Sequence, residues 1–257
     1  MSTILVTGAT GTLGREVVQK LLDRQQRVRV YTRQPHPPVP AGVEVYQGDI
    51  REGTGLIEAT RAVDSIIHCV SVYEEGFTTD RQGASQLIET AKANGAPHLV
   101  FISIAGIDHS SFPYFQAKLD VERMVEQSGL PWSILRATQF HNYILSLISS
   151  WEDENTATIT VPAEARFQPI DVAEVAGALV TLAEREAAGR VPDMGGPEIL
   201  TLDEMAETYV QVYRKQRAVH THMLPGAYFD AFRSDEKVVA DRAVGRMTWE
   251  RFLQQRA

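Results

Sequence analysis

The stretch Val6-Thr7-Gly8-Ala9-Thr10-Gly11-Thr12-Leu13-Gly14 decides the fold. It follows a short apolar run, Thr3–Thr7, with the character of a strand. It opens into Thr12–Arg24, where Leu13, Val17, Val18, Leu21 and Leu22 recur at helical spacing on one face. Three glycines stand at intervals of three, Gly8, Gly11 and Gly14. A tight turn out of a strand needs a residue tolerant of unusual φ, and close approach of the backbone to a pyrophosphate leaves no room for a Cβ. The helix that follows must also pack closely on the sheet, and its free N–H groups face the phosphates. Thr10, Thr12 and Leu13 lie where hydroxyl or backbone donors reach such a ligand. An ordinary strand-to-helix turn is the plain alternative, but strand, turn and amphipathic helix agree here, and that context points to a dinucleotide. No Gly-Lys-Ser/Thr follows, which excludes a mononucleotide P-loop.

Outward from this turn, short β-rich runs alternate with helix-length stretches. Arg27–Tyr31, Val43–Tyr46, Ser65–Cys69, His98–Ser103 and Pro131–Arg136 read as further strands, and Thr78–Asn94 and Phe112–Ser128 as helices. Such alternation implies right-handed βαβ crossovers, and nearly continuous apolar strands imply helices on both faces. The expected fold class is α/β, a Rossmann-type doubly wound parallel sheet with a smaller C-terminal substrate lobe. Residues 1–190 are expected to form the core, with 139–165 contributing to the substrate pocket, and 191–257 the small lobe. Later helices are expected at Gln139–Trp151, Asp171–Glu186 with Asp171 as N-cap, and Leu202–Arg214.

The 257 residues, 44% of them hydrophobic and 23% charged, suit a globular chain with a substantial core. A net charge of −8 argues against a general nucleic-acid binder. Cys69 is the only cysteine, so an intramolecular disulfide is excluded and a cysteine-based zinc site is not expected; no metal is expected. The N-terminus does not read as a signal peptide, and no apolar run approaches the roughly 18 residues of a membrane span. A cytoplasmic protein is expected, with a small-molecule substrate and with monomer and homodimer both open.

The second strand ends Val30-Tyr31-Thr32-Arg33-Gln34-Pro35, with no Asp or Glu. An NAD site places a carboxylate here for the ribose 2′-hydroxyl, whereas an NADP site places an arginine. Arg33 therefore points to NADP(H), its guanidinium fork binding the 2′-phosphate. Asp49, after the third strand, suits either the adenine amino group or a plain turn role. Tyr114 and Lys118 are four apart on a helix, which puts them on one face. Ser103 ends the preceding strand. A phenol of pKa about 10 is a poor acid at neutral pH. A nearby ammonium and an oxidised nicotinamide stabilise the phenolate, so that Tyr114 exchanges a proton with a substrate oxygen, Ser103 orients that oxygen and Lys118 holds the nicotinamide ribose.

VTGATGTLG, VYTRQP, QGDI, ISIAG and YFQAK together resemble the short-chain dehydrogenase/reductase superfamily, and most closely its atypical, NmrA-like NAD(P)H-binding branch. LPWSILRATQF (Leu130–Phe140) and FQPIDVAEVA (Phe167–Ala176) resemble further landmarks of that branch. The resemblance implies that Gly8, Gly11 and Gly14 bind pyrophosphate and Arg33 the 2′-phosphate. It implies that Asp49 and Ile50 flank adenine, and that Cys69, Val70 and Ser71 line the cofactor ribose. Ser103, Tyr114 and Lys118 are implied as catalytic, although the gap from Ser103 to Tyr114 is slightly shorter than is usual in the superfamily. Gln139, Phe140, His141 and Tyr143 are implied as one wall of the substrate pocket. Three activities are implied. The first is an NADPH-dependent oxidoreductase acting on a small carbonyl, quinone or enone. The second is a non-catalytic NADP(H)-binding redox sensor, and the third is an epimerase or isomerase that retains its cofactor.

Overall fold

The computed structural model describes residues 1–72, 77–234 and 237–257. The chain divides into two compact units. The first comprises Met1–Ser103, Pro113–Arg136 and Ala173–Pro192; the second comprises Ile104–Phe112, Ala137–Val172 and Asp193–Ala257. In this division residues 137–172 cluster with the C-terminal segment.

The first unit carries β1 (Thr3–Thr7), β2 (Arg27–Thr32), β3 (Glu44–Gln47), β4 (Ser65–His68), β5 (His98–Ile104), β6 (Trp132–Ala137) and β10 (Gly189–Arg190). Among the described residues these make a seven-stranded sheet in the order β10-β6-β5-β4-β1-β2-β3. The β1–β2, β1–β4, β2–β3, β4–β5 and β6–β10 pairings are all parallel. All five residues of β1 are buried, as expected of a strand covered on both faces. The helices are α1 (Thr12–Asp23), α2 (Leu56–Thr60), α3 (Thr78–Ala93), α4 (Pro113–Glu126) and α6 (Val172–Ala183). The apolar stripe of α1 is buried at Leu13, Val17, Val18 and Leu21. Leu5, Ile66, Leu87, Phe101, Val121 and Ile134 belong to one core cluster of this unit. Succession runs outward from β1 to β3, then restarts at β4 on the other side of β1. That reversal opens a crevice at the carboxyl ends of β1 and β4.

Strand β10 was not anticipated from sequence, since two residues give no periodicity. It pairs with Ser133 and Ile134 of β6. Arg190 on β10 also donates to Glu122 Oε2 at 2.8 Å. Glu122 is buried on α4 and takes a two-pronged grip from Arg136, whose Nε and Nη2 donate at 2.8 and 2.7 Å. One buried carboxylate thus ties α4 to β6 and to the edge strand.

The second unit contains α5 (His141–Ser150), α7 (Leu202–Val212), α8 (Ala227–Arg233) and α9 (Trp249–Gln254). Strands β7 (Glu152–Asp153), β8 (Thr158–Pro162) and β12 (Ala218–His222) form a sheet in the order β12-β8-β7, and β9 (Arg166–Phe167) pairs with β11 (Leu200–Thr201). Its core gathers Ile144, Ile148, Ile159, Phe167, Met205, Phe232, Trp249 and Phe252. Thr201 and Glu204 close a capping box at the start of α7, each side chain reaching the other's backbone N–H. Helix α5 begins two residues later than expected, because Phe140 keeps an extended backbone and bridges to Ile170. Among the described residues no helix is long and apolar enough to cross a membrane.

Candidate functional site

The glycine turn is built as its spacing demands. Gly8 has φ +74°, and a Cβ there would lie 2.7 Å from the Cys69 carbonyl and 2.8 Å from the Val70 amide nitrogen. Gly14, inside α1, packs on the turn itself, where a Cβ would fall 2.1 Å from the Gly8 carbonyl oxygen. Gly11 caps α1 with no side-chain hydrogen bond, so the first amides of the helix are left to a ligand or solvent. Arg15 is the first helical residue whose N–H is satisfied within the turn, by Gly11.

A cleft runs along this edge, lined by Gly8, Thr10, Gly11, Arg33, Asp49, Ile50, Cys69, Val70 and Ser71 among the residues expected from sequence. Tyr31, Thr32, Gly48, Val72 and Thr79 also line it and were not anticipated. The first four are neighbours of expected residues at strand ends, which is the one sequence signal they carry; Thr79 stands in the first turn of α3. Thr12, Leu13 and Gly14 stand in the first turn of α1 and do not line the cleft with the others. Arg33 is exposed, and among the described residues its guanidinium has no ion-pair or hydrogen-bond partner. Asp49 performs a turn role: its Oδ1 accepts the Arg51 N–H at 2.9 Å and sits 3.6 Å from the Arg51 Nε. Tyr31 donates to the Thr54 carbonyl at 2.5 Å, and burial pushes its phenol up to about 12. Burial also pushes the Cys69 thiol up to about 12, with Lys118 opposing, so this cysteine is protonated and not a nucleophile at neutral pH.

Tyr114 and Lys118 both lie on α4. The Tyr114 hydroxyl lies 2.8 Å from Ser71 Oγ. Ser103 Oγ is buried and makes no hydrogen bond among the described residues, so it is not joined to Tyr114. Lys118 is buried rather than open to the cleft. Its Nζ sits 3.1 Å from Asp80 Oδ1, donates to the Val70 carbonyl at 3.3 Å, and lies 6.0 Å from the centre of the Tyr114 ring. Asp80, in the first turn of α3, was not singled out from sequence, because nothing local distinguishes it from a helix-capping acid.

The expected substrate-wall residues belong to the second unit. Gln139 and Phe140 are half-buried and Tyr143 is exposed. The Tyr143 hydroxyl lies 3.4 Å from that of Tyr228, whose ring packs edge-on against Phe112. His141 is wholly enclosed, its ring stacked 4.8 Å from Phe252 and 6.0 Å from Trp249. Burial pulls its pKa down to about 4, so at neutral pH it is an uncharged packing group. His68 behaves alike in the first unit: it shares a 2.7 Å hydrogen bond with Thr7 Oγ1, and burial, aided by the positive Lys118, pulls it down to about 3.

These two histidines set a pH dependence. Their folded values lie below the ordinary 6.5, so the unfolded chain takes up protons first on acidification. Stability should be flat with respect to them above about pH 6.5 and fall below it, at about 1.4 kcal/mol per pH unit for each histidine. Chemical denaturation between about pH 7 and 5 measures this slope, and His141→Phe should remove roughly one proton's share of it.

A family model described as NAD(P)H-binding matches residues 8–186, which takes in the turn, the cleft and α4. The chain belongs to this NAD(P)H-binding family. It is 33% identical over 211 residues to the (4-alkanoyl-5-oxo-2,5-dihydrofuran-3-yl)methyl phosphate reductase of Streptomyces griseus, over 78% of this chain and 70% of that one. It is 29% identical over 202 residues to a photosystem II assembly factor of Cyanophora paradoxa, over 73% of this chain. The chain spans 61% of that factor's length and 54% of that of a chloroplastic Arabidopsis thaliana relative. Among solved structures, an Escherichia coli NADPH-dependent quinone oxidoreductase complexed with NADPH shares the fold. Its TM-score is 0.78 over 98% of this chain and 99% of that one, at 18% identity.

Proposed function

We propose that this member of the NAD(P)H-binding family is an NADPH-dependent oxidoreductase acting on a quinone, enone or small carbonyl, with the cofactor held in the cleft at the carboxyl edge of the sheet. The observation that carries the reading is Arg33 at the rim of that cleft, without an ion-pair partner among the described residues, and no carboxylate ending β2. The residues present fit the cofactor. The wall at Gly8 admits no Cβ, the first amides of α1 have no side-chain cap, and Arg33 offers a fork for a 2′-phosphate. Asp49 and Ile50 would flank the adenine, and Cys69, Val70 and Ser71 the far ribose. Gln139, Phe140 and Tyr143 are proposed for the acceptor. The enclosed His141 would support them by packing.

When bound, NADPH supplies a hydride. The chain supplies the proton. Tyr114 is the proposed donor to the acceptor oxygen, and exposed Ser71 at 2.8 Å would return a proton to it from solvent. Ser103, whose buried hydroxyl has no hydrogen-bond partner among the described residues, is proposed to orient the acceptor oxygen. The named activities of relatives accord with this reading, including Quinone oxidoreductase 2 of Escherichia coli, 24% identical over 220 residues. A second reading, a cofactor-binding factor without turnover, is favoured by the Cyanophora relative and by the burial of Lys118 against Asp80, which ties its ammonium to a carboxylate. The single, protonated Cys69 is compatible with a reducing cytoplasm.

NADPH oxidation by a panel of quinones, enones and aldehydes separates the two readings. Turnover with at least one class is expected; tight NADPH binding with no turnover across the panel would favour the factor. Arg33→Ala should weaken NADPH about tenfold or more and leave NADH within about twofold, because a charge-assisted pair contributes about 1.5–3 kcal/mol. Calorimetric titration with each cofactor checks this.

A further inference from the structure

Three successive residues of the cleft wall are each held by a different side chain. The Val70 carbonyl accepts from Lys118 at 3.3 Å, Ser71 Oγ meets the Tyr114 hydroxyl at 2.8 Å, and the Val72 N–H donates to Asp80 Oδ2 at 3.0 Å. The Lys118–Asp80 ion pair closes the ring, with 4% and 0% of the two side chains exposed. We infer that Asp80 is a positioning residue of the cofactor site: with Lys118 it fixes Val70–Val72 as the wall beneath the nicotinamide half of the dinucleotide.

A fully buried ion pair is poorly explained by stability alone, since its desolvation cost offsets its attraction and apolar replacements often do as well. What this pair does supply is geometry. Asp80 sits in the first turn of α3, where the helix dipole favours a carboxylate, and its two oxygens face different targets. One holds the Val72 amide; the other aims the Lys118 ammonium at the Val70 carbonyl. Tyr114, one turn before Lys118 on α4, grips the residue between.

The strand order assigns this wall to one end of the ligand. Arg33 and Asp49 follow β2 and β3 on one side of the glycine turn, and Val70–Val72 follow β4 on the other. A dinucleotide with its pyrophosphate on the turn and its 2′-phosphate at Arg33 lays its other half against Val70–Val72. The inference rests on the proposed placement of NADPH in this cleft.

The test compares NADPH with 2′,5′-ADP, which carries the adenine, ribose and 2′-phosphate but nothing that reaches beyond the turn. Both are titrated calorimetrically into the full chain. Asp80→Asn should weaken NADPH about tenfold or more and leave 2′,5′-ADP within about twofold. Asp80→Asn/Lys118→Met has no unpaired buried charge. It should regain most of the thermal stability lost in the single variant while NADPH remains weakened by a similar factor. Equal losses for the two ligands would reduce Asp80 to a structural group and overturn the inference. So would NADPH affinity within about twofold of the parent in the double variant. A parent protein that binds neither ligand would overturn the placement of NADPH itself, and the inference with it.

Discussion

Gly8→Ala is expected to abolish measurable NADPH binding and to lower the melting temperature. The methyl group would enter at φ +74°, a conformation costing an L-residue about 1–2 kcal/mol. It would also press within 2.7–2.8 Å of the Cys69–Val70 peptide, which is backbone and cannot rotate away. Overpacking of this kind adds about 1–3 kcal/mol, and it is relieved only by moving the end of β4 away from the turn. That movement displaces two sides of the cleft at once, which makes the loss of affinity larger than the loss of stability. Gly129 is the natural control. Its φ is +75°, nearly that of Gly8, but nothing lies within 4 Å of an added Cβ. Gly129→Ala should cost about 1–2 kcal/mol of stability and leave NADPH affinity unchanged. Equal effects at the two positions would mean that the close approach at Gly8 is unimportant.

The largest effect on stability is expected at Glu122. Its carboxylate is 1% exposed and serves Arg136, itself 4% exposed, together with Arg190. Glu122→Ala removes the carboxylate that the buried Arg136 guanidinium grips with two hydrogen bonds, a loss of about 3–5 kcal/mol, measured by urea denaturation. Glu122→Leu/Arg136→Met removes both charges and should recover most of that loss, because an apolar pair of similar volume avoids the desolvation cost. Weaker pairing of β10 should accompany the single variant, seen as faster amide exchange around Gly189 and Arg190, since Arg190 holds the edge strand to the same carboxylate. A loss below about 1 kcal/mol would place the triad among solvent-screened surface pairs.

The parts of the fold legible in the sequence are those whose signal is local. Strand β1 and helix α1 follow from one contiguous stretch, Thr3 to Asp23, in which propensity, patterning and glycine spacing agree. The glycine turn was legible for the same reason, since its chemistry and its geometry occupy one stretch. Strand β10 was not, because its two residues are held by a partner strand and by an ion pair to α4. Strands β8 and β12 were missed too: they alternate Ile159 and Val161, or Val219, with polar residues on an exposed face and carry little apolar character. Spacing singled out Tyr114 and Lys118 as candidates, but it carries no information on the groups they touch. Ser71 and Asp80 come from the β4 end and from α3, and only the fold brings them to α4. His141 shows the converse. The resemblance placed it among the substrate-wall residues, and the stacking of Trp249 and Phe252 on its ring, from positions distant in sequence, could not be read there.

The central claim is that the cleft beside Gly8 and Arg33 is built for a dinucleotide bearing a 2′-phosphate. Titration of the parent protein with NADPH and with NADH, followed by nicotinamide fluorescence, tests it most directly. NADPH is expected to bind at least about tenfold more tightly, in keeping with one charge-assisted contact to Arg33. Equal affinity for the two cofactors would contradict the claim.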